Sequence, residues 1–203
     1  MIRVLCFGGG VNSTAILALQ KLGEIPPVDR IIFCDTGVEH PNTYEYLDYL
    51  FKIFKIETLH HPEGTMLEYC QKYKLLPSIK YRWCTTLFKI QLTARHLRGT
   101  PHIKVIGIDY GERKRAKDNT VEYPLITRKM DRQNCIEVIA KAGLKIPPKS
   151  SCWLCPAQTI TELRLLKYQY PEKFKMLIDL EKEAQARNAK IYFKRKWHLE
   201  EYV

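Results

Sequence analysis

The chain has 203 residues, with 33 Lys and Arg against 22 Asp and Glu, a formal net charge of +11, 45% hydrophobic residues and seven cysteines. A chain of this length and apolar content buries enough surface for a core without staples, which excludes the disordered and fibrous classes. No apolar run reaches the roughly 18 to 20 residues of a membrane span, and Met1-Ile2-Arg3-Val4-Leu5-Cys6-Phe7 meets glycines before a secretory apolar region forms. A cytoplasmic protein with reduced thiols and no membrane partner is expected, so its cysteines are buried thiols, a nucleophile or metal ligands. The positive excess points to a polyanion such as a nucleotide or nucleic acid, or to no more than a soluble basic surface.

Short apolar runs alternate with amphipathic segments through the first half, the pattern of βαβ units around a parallel sheet. Residues 2–7 read as a buried strand, Gly8 to Asn12 as a turn, and residues 13–22 as a helix stopped by Gly23 and Pro26-Pro27. A second strand over 29–34 follows, then a helix entered at Pro41 with Tyr44, Leu47 and Phe54 on its apolar side, then a third strand over 56–59. Between Thr65 and Arg98 two helices break near Pro77-Ser78, and a fourth strand spans 104–108. The charged run Gly111 to Asp118 after it is either a solvated turn or a phosphate-facing loop. Beyond it the alternation stops: a helix over 132–142 ends at Gly143, Pro147-Pro148 stiffen a loop, and a helical region runs from Cys152 to about Asn188. The expected fold is α/β, a three-layer, mostly parallel twisted sheet with helices on both faces. Residues 1–130 form a nucleotide-binding core and residues 131–203 a helical, cysteine-bearing extension packed on the same domain.

Three glycines between a strand and a helix let the backbone approach an anion, while the helix N-terminus supplies partial positive charge. No Gly-Lys-Ser/Thr follows, so this is not a Walker loop, and Val11-Asn12-Ser13 after Gly10 breaks the dinucleotide fingerprint. A tight connection without a ligand is the alternative. Phe7-Gly8-Gly9-Gly10-Val11-Asn12-Ser13-Thr14 resembles the pyrophosphate loop of the adenine nucleotide alpha-hydrolase (PP-loop) superfamily, whose usual form is Ser-Gly-Gly-x-Asp-Ser. Gly8 stands at the Ser of that pattern, Val11 at its variable position and Asn12 at its Asp.

Cys34-Asp35-Thr36-Gly37 followed by His40-Pro41-Asn42-Thr43-Tyr44 resembles the Asp-Thr-Gly…Pro-Glu-Thr segment of the phosphoadenylyl-sulfate (PAPS) reductase branch. Arg82-Trp83-Cys84-Thr85-Thr86-Leu87-Phe88-Lys89 resembles its Arg-x-Cys-Cys-x-x-x-Lys motif, with Thr85 at the second cysteine. Gly107-Ile108-Asp109-Tyr110-Gly111-Glu112-Arg113-Lys114-Arg115 is a looser match to Gly-Ile/Leu-Arg…Glu-Ser…Arg, with Asp109 at the Arg. The resemblance covers residues 2–160 and implies that Phe7, Gly8, Gly9, Gly10, Asn12, Ser13, Thr14, Asp35, Thr36, Gly37, Arg82, Lys89, Gly107, Glu112 and Arg115 line a site for ATP and Mg2+. Asp35, Lys89 and Arg115 are the expected catalytic groups. Reductases of this branch carry their nucleophile in a Glu-Cys-Gly-x-His tail, whereas this sequence closes on Trp197-His198-Leu199-Glu200-Glu201-Tyr202-Val203.

Cys152-Trp153-Leu154-Cys155-Pro156 suits two thiolates held on one metal or cluster. Cluster-bearing members of the family imply that Cys84, Cys152 and Cys155 hold a 4Fe-4S cluster, either with Cys135 as the fourth ligand or with one iron left open to carry sulfide, and zinc is the alternative because thiolate ligation alone does not separate the two. Cys6, Cys34 and Cys70 lie on apolar segments and read as core residues. Lys190-Ile191-Tyr192-Phe193-Lys194-Arg195-Lys196-Trp197-His198 interleaves cations with aromatics, which suits phosphate contacts with base stacking or a solvated tail packed on the domain. The function implied is ATP-dependent adenylation with sulfur transfer to a base of tRNA or DNA, assisted by a sulfur-donor protein, in a monomer or homodimer. Thiol-dependent reduction of adenylyl sulfate or PAPS, and a non-catalytic nucleotide or nucleic-acid binding module, are the alternatives.

Overall fold

The computed structural model describes residues 1–194 and 198–202. A five-stranded parallel sheet has the order β3-β2-β1-β4-β5, with β1 (Ile2–Phe7) at its centre, β2 (Arg30–Asp35) and β3 (Ile56–His60) to one side, and β4 (His102–Ile106) and β5 (Val121–Glu122) to the other. β1 pairs with β2 in the register Val4↔Arg30 and with β4 in the register Val4↔Lys104. Val4 and Leu5 are both fully buried although they point to opposite faces, as a strand covered on both sides requires. The fourth strand begins and ends two residues before its expected bounds, and β5, which the sequence did not announce, is only two residues long.

Contacts divide the chain into two units. The first comprises residues 1–34, 40–59 and 93–150; the second comprises residues 35–39, 60–92 and 151–203. The boundary expected at residue 130 therefore does not follow the packing. In the first unit α1 (Val11–Lys21) is buried on every side from Ala15 to Leu19 and shares a core with Cys135, Val138 and Ile139 of α7 (Arg132–Lys141). A helix apolar all round must be enclosed, and α7 is one of the elements that encloses it. The reciprocal capping box of Asp131 and Asn134 fixes where α7 begins. α2 (Pro41–Phe51) adds Leu47 and Leu50, and α6 (Pro124–Thr127) adds Leu125.

Arg30 Nε donates to Glu57 Oε1 at 2.7 Å, and His96 Nε2 lies 3.2 Å from Glu57 Oε2. Hydrogen bonding from Arg30 holds the Glu57 carboxyl down at about 2. A depressed carboxyl stabilises the fold above its unfolded value, and that stabilisation is lost as pH falls through the folded value. Glu57→Gln is expected to cost about 1 kcal/mol at pH 7, allowing for solvent screening of a side chain near the surface, and urea titrations of the two proteins should converge as pH falls from about 4.5 toward 2.

The second unit is mainly helical. α3 (Met66–Tyr73) starts at the Thr65/Glu68 capping box, and α4 (Trp83–Thr85) leads through a π-helical turn, Thr86–Gln91, into α5 (Leu92–His96), whose last four residues belong to the first unit. α8 (Ile160–Gln169) and α9 (Pro171–Arg187) pack on Met66, Cys70, Phe88, Trp153 and Leu154. Glu181 of α9 is buried, and its carboxylate accepts from Phe193 N at 2.8 Å and from Leu199 N, in α10 (Leu199–Tyr202), at 2.9 Å. Two backbone donors satisfy the buried charge and pin the carboxyl-terminal segment to α9. Arg195, Lys196 and Trp197, part of the basic aromatic run, and Val203 lie outside the described residues. Among the described residues no helix is long and apolar enough to cross a membrane.

Candidate nucleotide site

In a sheet of this order the chain leaves β1 toward one side and returns to β4 on the other, so the carboxyl ends of β1 and β4 open at a switch point, where such sheets bind ligands. The turn after β1 places Gly8, Gly9 and Gly10 there. Gly9 has φ +70°, a conformation side chains rarely adopt. Gly10 caps α1 without a side-chain acceptor, and no acidic residue occupies the first turn of the helix, so the helix N-terminus is left for an anion. The Ser13 hydroxyl donates to Gly10 O at 3.1 Å and accepts from Gly8 N at 3.3 Å, which fixes the shape of the turn.

The segment after β4 closes on this turn. A Cβ on Gly107 would lie 2.7 Å from Ser13 N and 2.8 Å from Asn12 C, so only glycine lets β4 end against the start of α1. Asp109, nearly buried, accepts from Asn12 Nδ2 at 3.2 Å through Oδ2 and from Glu112 N at 3.0 Å through Oδ1. Two of the residues at which this sequence departs from the patterns it resembles, Asn12 and Asp109, thus face one another. The carboxylate absent from position 12 is supplied by position 109, where the pattern has an arginine. Asn12 Oδ1 is buried with no hydrogen-bond partner among the described residues.

A cleft of about 430 Å³ is lined by this turn, Gly107, Glu112, Arg115, Arg132, Lys149 and Ser150. Arg115 Nη1 donates to Glu112 Oε1 at 2.5 Å, at the rim. Sequence reasoning missed Arg132, Lys149 and Ser150. The signal for the last two was the rigid Pro147-Pro148-Lys149-Ser150 run, which delivers a cation and a hydroxyl from a stiff loop. Ser150 Oγ would lie 2.5 Å from a Cβ on Gly10, so that loop reaches the glycine turn itself. Phe7 and Thr14, expected to line the site, are instead buried at 4% and 0% exposure and act as its packing support.

The remaining expected residues belong to the second unit. Asp35 Oδ1 accepts from Gly37 N at 2.8 Å, and its Oδ2 lies 3.8 Å from His60 Nδ1. Gly37 has φ +72°, and a Cβ there would lie 2.3 Å from Thr65 Cγ2. Arg82 takes a left-handed conformation, φ 47°, ahead of α4. Thr36 Oγ1 donates to Glu39 Oε1 at 3.1 Å, and Lys89, on the π-helical turn, reaches the same oxygen at 3.5 Å. Glu39 is a buried carboxylate that the sequence reading passed over.

Cys152 Sγ donates to Glu39 Oε1 at 3.4 Å and lies 3.6 Å from Thr36 Oγ1. Burial first, and then the Glu39 charge, push its thiol up. Burial also raises Cys155, and the neighbouring Cys84 adds to that. Cys135 lies inside the apolar core of the first unit, with burial pushing it up to about 12. Among the described residues no three His, Cys, Asp or Glu side chains are grouped to hold a metal ion. Cys135 belongs to the first unit and Cys84, Cys152 and Cys155 to the second, and the chemistry below uses none of them as ligands. A single carboxylate with substrate phosphates is a set that Mg2+ does accept, and Glu112 at the cleft supplies one.

The chain matches the phosphoadenosine phosphosulfate reductase domain over residues 3–168 and belongs to that family. Two proteins of Methanocaldococcus jannaschii are similar to it, the uncharacterized proteins MJ0973, 23% identical over 86% of this chain and 46% of that one, and MJ0066, 23% identical over 83% and 39%. The chain spans less than half the length of these relatives. Among solved structures, the phosphate complex of phosphoadenylyl-sulfate (PAPS) reductase from Candida auris superposes with a TM-score of 0.55 at 14% identity, over 72% of this chain and 75% of that one, a likeness of fold.

Proposed function

We propose that the chain binds ATP at the end of β1 and β4, transfers its adenylyl group to a carbonyl-type oxygen of an acceptor with release of pyrophosphate, and so prepares that oxygen for replacement by sulfur on a nucleic-acid base. The observation that carries this reading is the cleft itself, where an uncapped helix N-terminus and the glycine turn meet Arg115, Arg132 and Lys149. In the reaction the acceptor oxygen attacks the α-phosphorus and the bond to the bridging oxygen breaks. Charge then grows on the departing pyrophosphate, where preorganised cations and backbone N–H groups stabilise it most. Mg2+ carried by the nucleotide, with Glu112 beside it, would supply further neutralisation.

Reduction of a sulfonucleotide is the second reading, favoured by family membership and by the Cys152 thiol set against Glu39 and Thr36. Parallel incubations separate the two. Radiolabelled ATP with tRNA or DNA and sulfide, whose attack on the activated carbon expels AMP, should yield AMP and pyrophosphate, while adenylyl sulfate or PAPS with a dithiol should release no sulfite. Sulfite release without AMP formation from ATP would transfer the assignment to reduction.

A further inference from the structure

A larger cleft, about 1060 Å³, lies wholly within the second unit, between the loop Leu75 to Trp83, the start of α8 and the segment Lys190 to Lys194. None of its lining residues lines the cleft at the ends of β1 and β4. Its wall carries Lys80, Lys190 and Lys194 together with Tyr81, Trp83 and Tyr192, and among the described residues none that lines it is acidic. Tyr81 and Ile79 stand 71% and 63% exposed, and the Lys80 ammonium lies 5.1 Å from the Tyr81 ring centroid. Other groups in the wall are held firmly. Trp83 Nε1 donates to Leu76 O at 3.0 Å, Lys194 donates to Gln158 O, and Phe193 is pinned through its N–H to Glu181.

We infer that this cleft holds a single-stranded nucleic acid. The exposed Tyr81 ring, beside the half-buried Trp83 and Tyr192, offers a stacking face to an unpaired base and the lysines offer contacts to the phosphates, the combination by which strands are held without regard to sequence. An acidic peptide would use the lysines but leave the rings without a purpose. A paired duplex has no free base faces to present. The volume lies at the upper end of small-ligand cavities and has room for a few nucleotides. The inference rests on the proposed reading only for the role of that strand as the acceptor; the binding itself is independent of it.

Fluorescence anisotropy of the full chain with labelled twelve-residue oligouridine and oligothymidine tests this. Both oligonucleotides should bind. Tyr81→Ala should weaken binding about tenfold with an unchanged salt slope, since it removes stacking and no charge. The double variant Lys80→Gln/Lys190→Gln should reduce the slope of log affinity against log salt by about 1.4, the value for two lost phosphate contacts to a single strand. Failure of either oligonucleotide to bind, equal affinity in all three proteins, or equal displacement by a duplex or by polyglutamate would overturn the inference. ATP binding, measured on the same proteins, should be unchanged in the variants. Oligonucleotide binding that responds to these substitutions in a protein that does not bind ATP sustains the cleft and refutes the adenylation reading; ATP binding without oligonucleotide binding refutes the cleft alone.

Discussion

Gly107→Ala should abolish nucleotide binding at practical concentrations, with a loss of at least about 100-fold in affinity by calorimetry, and should lower stability by about 3 kcal/mol. The added methyl would meet Ser13 N, Asn12 C and Asn12 O at 2.7, 2.8 and 3.0 Å, and all three are backbone atoms, which cannot rotate aside as a side chain can. Relief must come from moving the start of α1 away from the end of β4. That displaces the N–H groups to which phosphate binding is assigned under the proposal, so binding and folding should fall together. Nucleotide affinity unchanged in Gly107→Ala would show that the junction does not shape the site.

The second large effect concerns Asn12 and Asp109. Asn12→Asp places a carboxylate against the nearly buried Asp109, 3.2 Å away in the present pair, and should cost about 2 to 3 kcal/mol at pH 7. Asp109→Asn alone should cost about 1 kcal/mol, since an asparagine still accepts from Glu112 N as a cap. The exchanged double variant restores one carboxylate facing one amide. Its stability and ATP affinity should return close to those of the original protein, with a coupling energy of about 3 kcal/mol in the double-mutant cycle. Additive losses would mean that the two residues do not act as a pair.

Those two positions also mark where sequence reading reaches its limit. Taken one at a time, Asn12 and Asp109 read as a lost charge and a misplaced one. Only their contact reveals an exchange, although the opposite sense of the two departures was a signal in the sequence. The β1 turn and α1 were legible because a buried apolar strand, three glycines and an enclosed apolar helix leave little freedom. β5 was not, because two residues, Val121 and Glu122, carry no alternation. Arg132 and Lys149 were missed because the end of βα alternation near residue 130 suggested a domain boundary. The core shared by α1 and α7 keeps that part of the chain in the first unit. The cysteine pattern was plain in the sequence, but spacing cannot tell that Cys152 turns to Glu39 or that Cys135 is enclosed by apolar side chains.

The central claim is that the cationic cleft at the ends of β1 and β4 holds the phosphates of ATP and assists their cleavage between α and β. Its most direct test follows ATP labelled at the α-phosphate, incubated with Mg2+, sulfide and tRNA or single-stranded DNA, with pyrophosphate assayed in parallel, in the original protein and in Arg132→Gln and Lys149→Gln. The account predicts AMP and pyrophosphate in equal amounts, each substitution reducing the rate by about 100-fold, the scale of one lost donor to developing charge. ADP and phosphate as products, or turnover unaffected by either substitution, would contradict it.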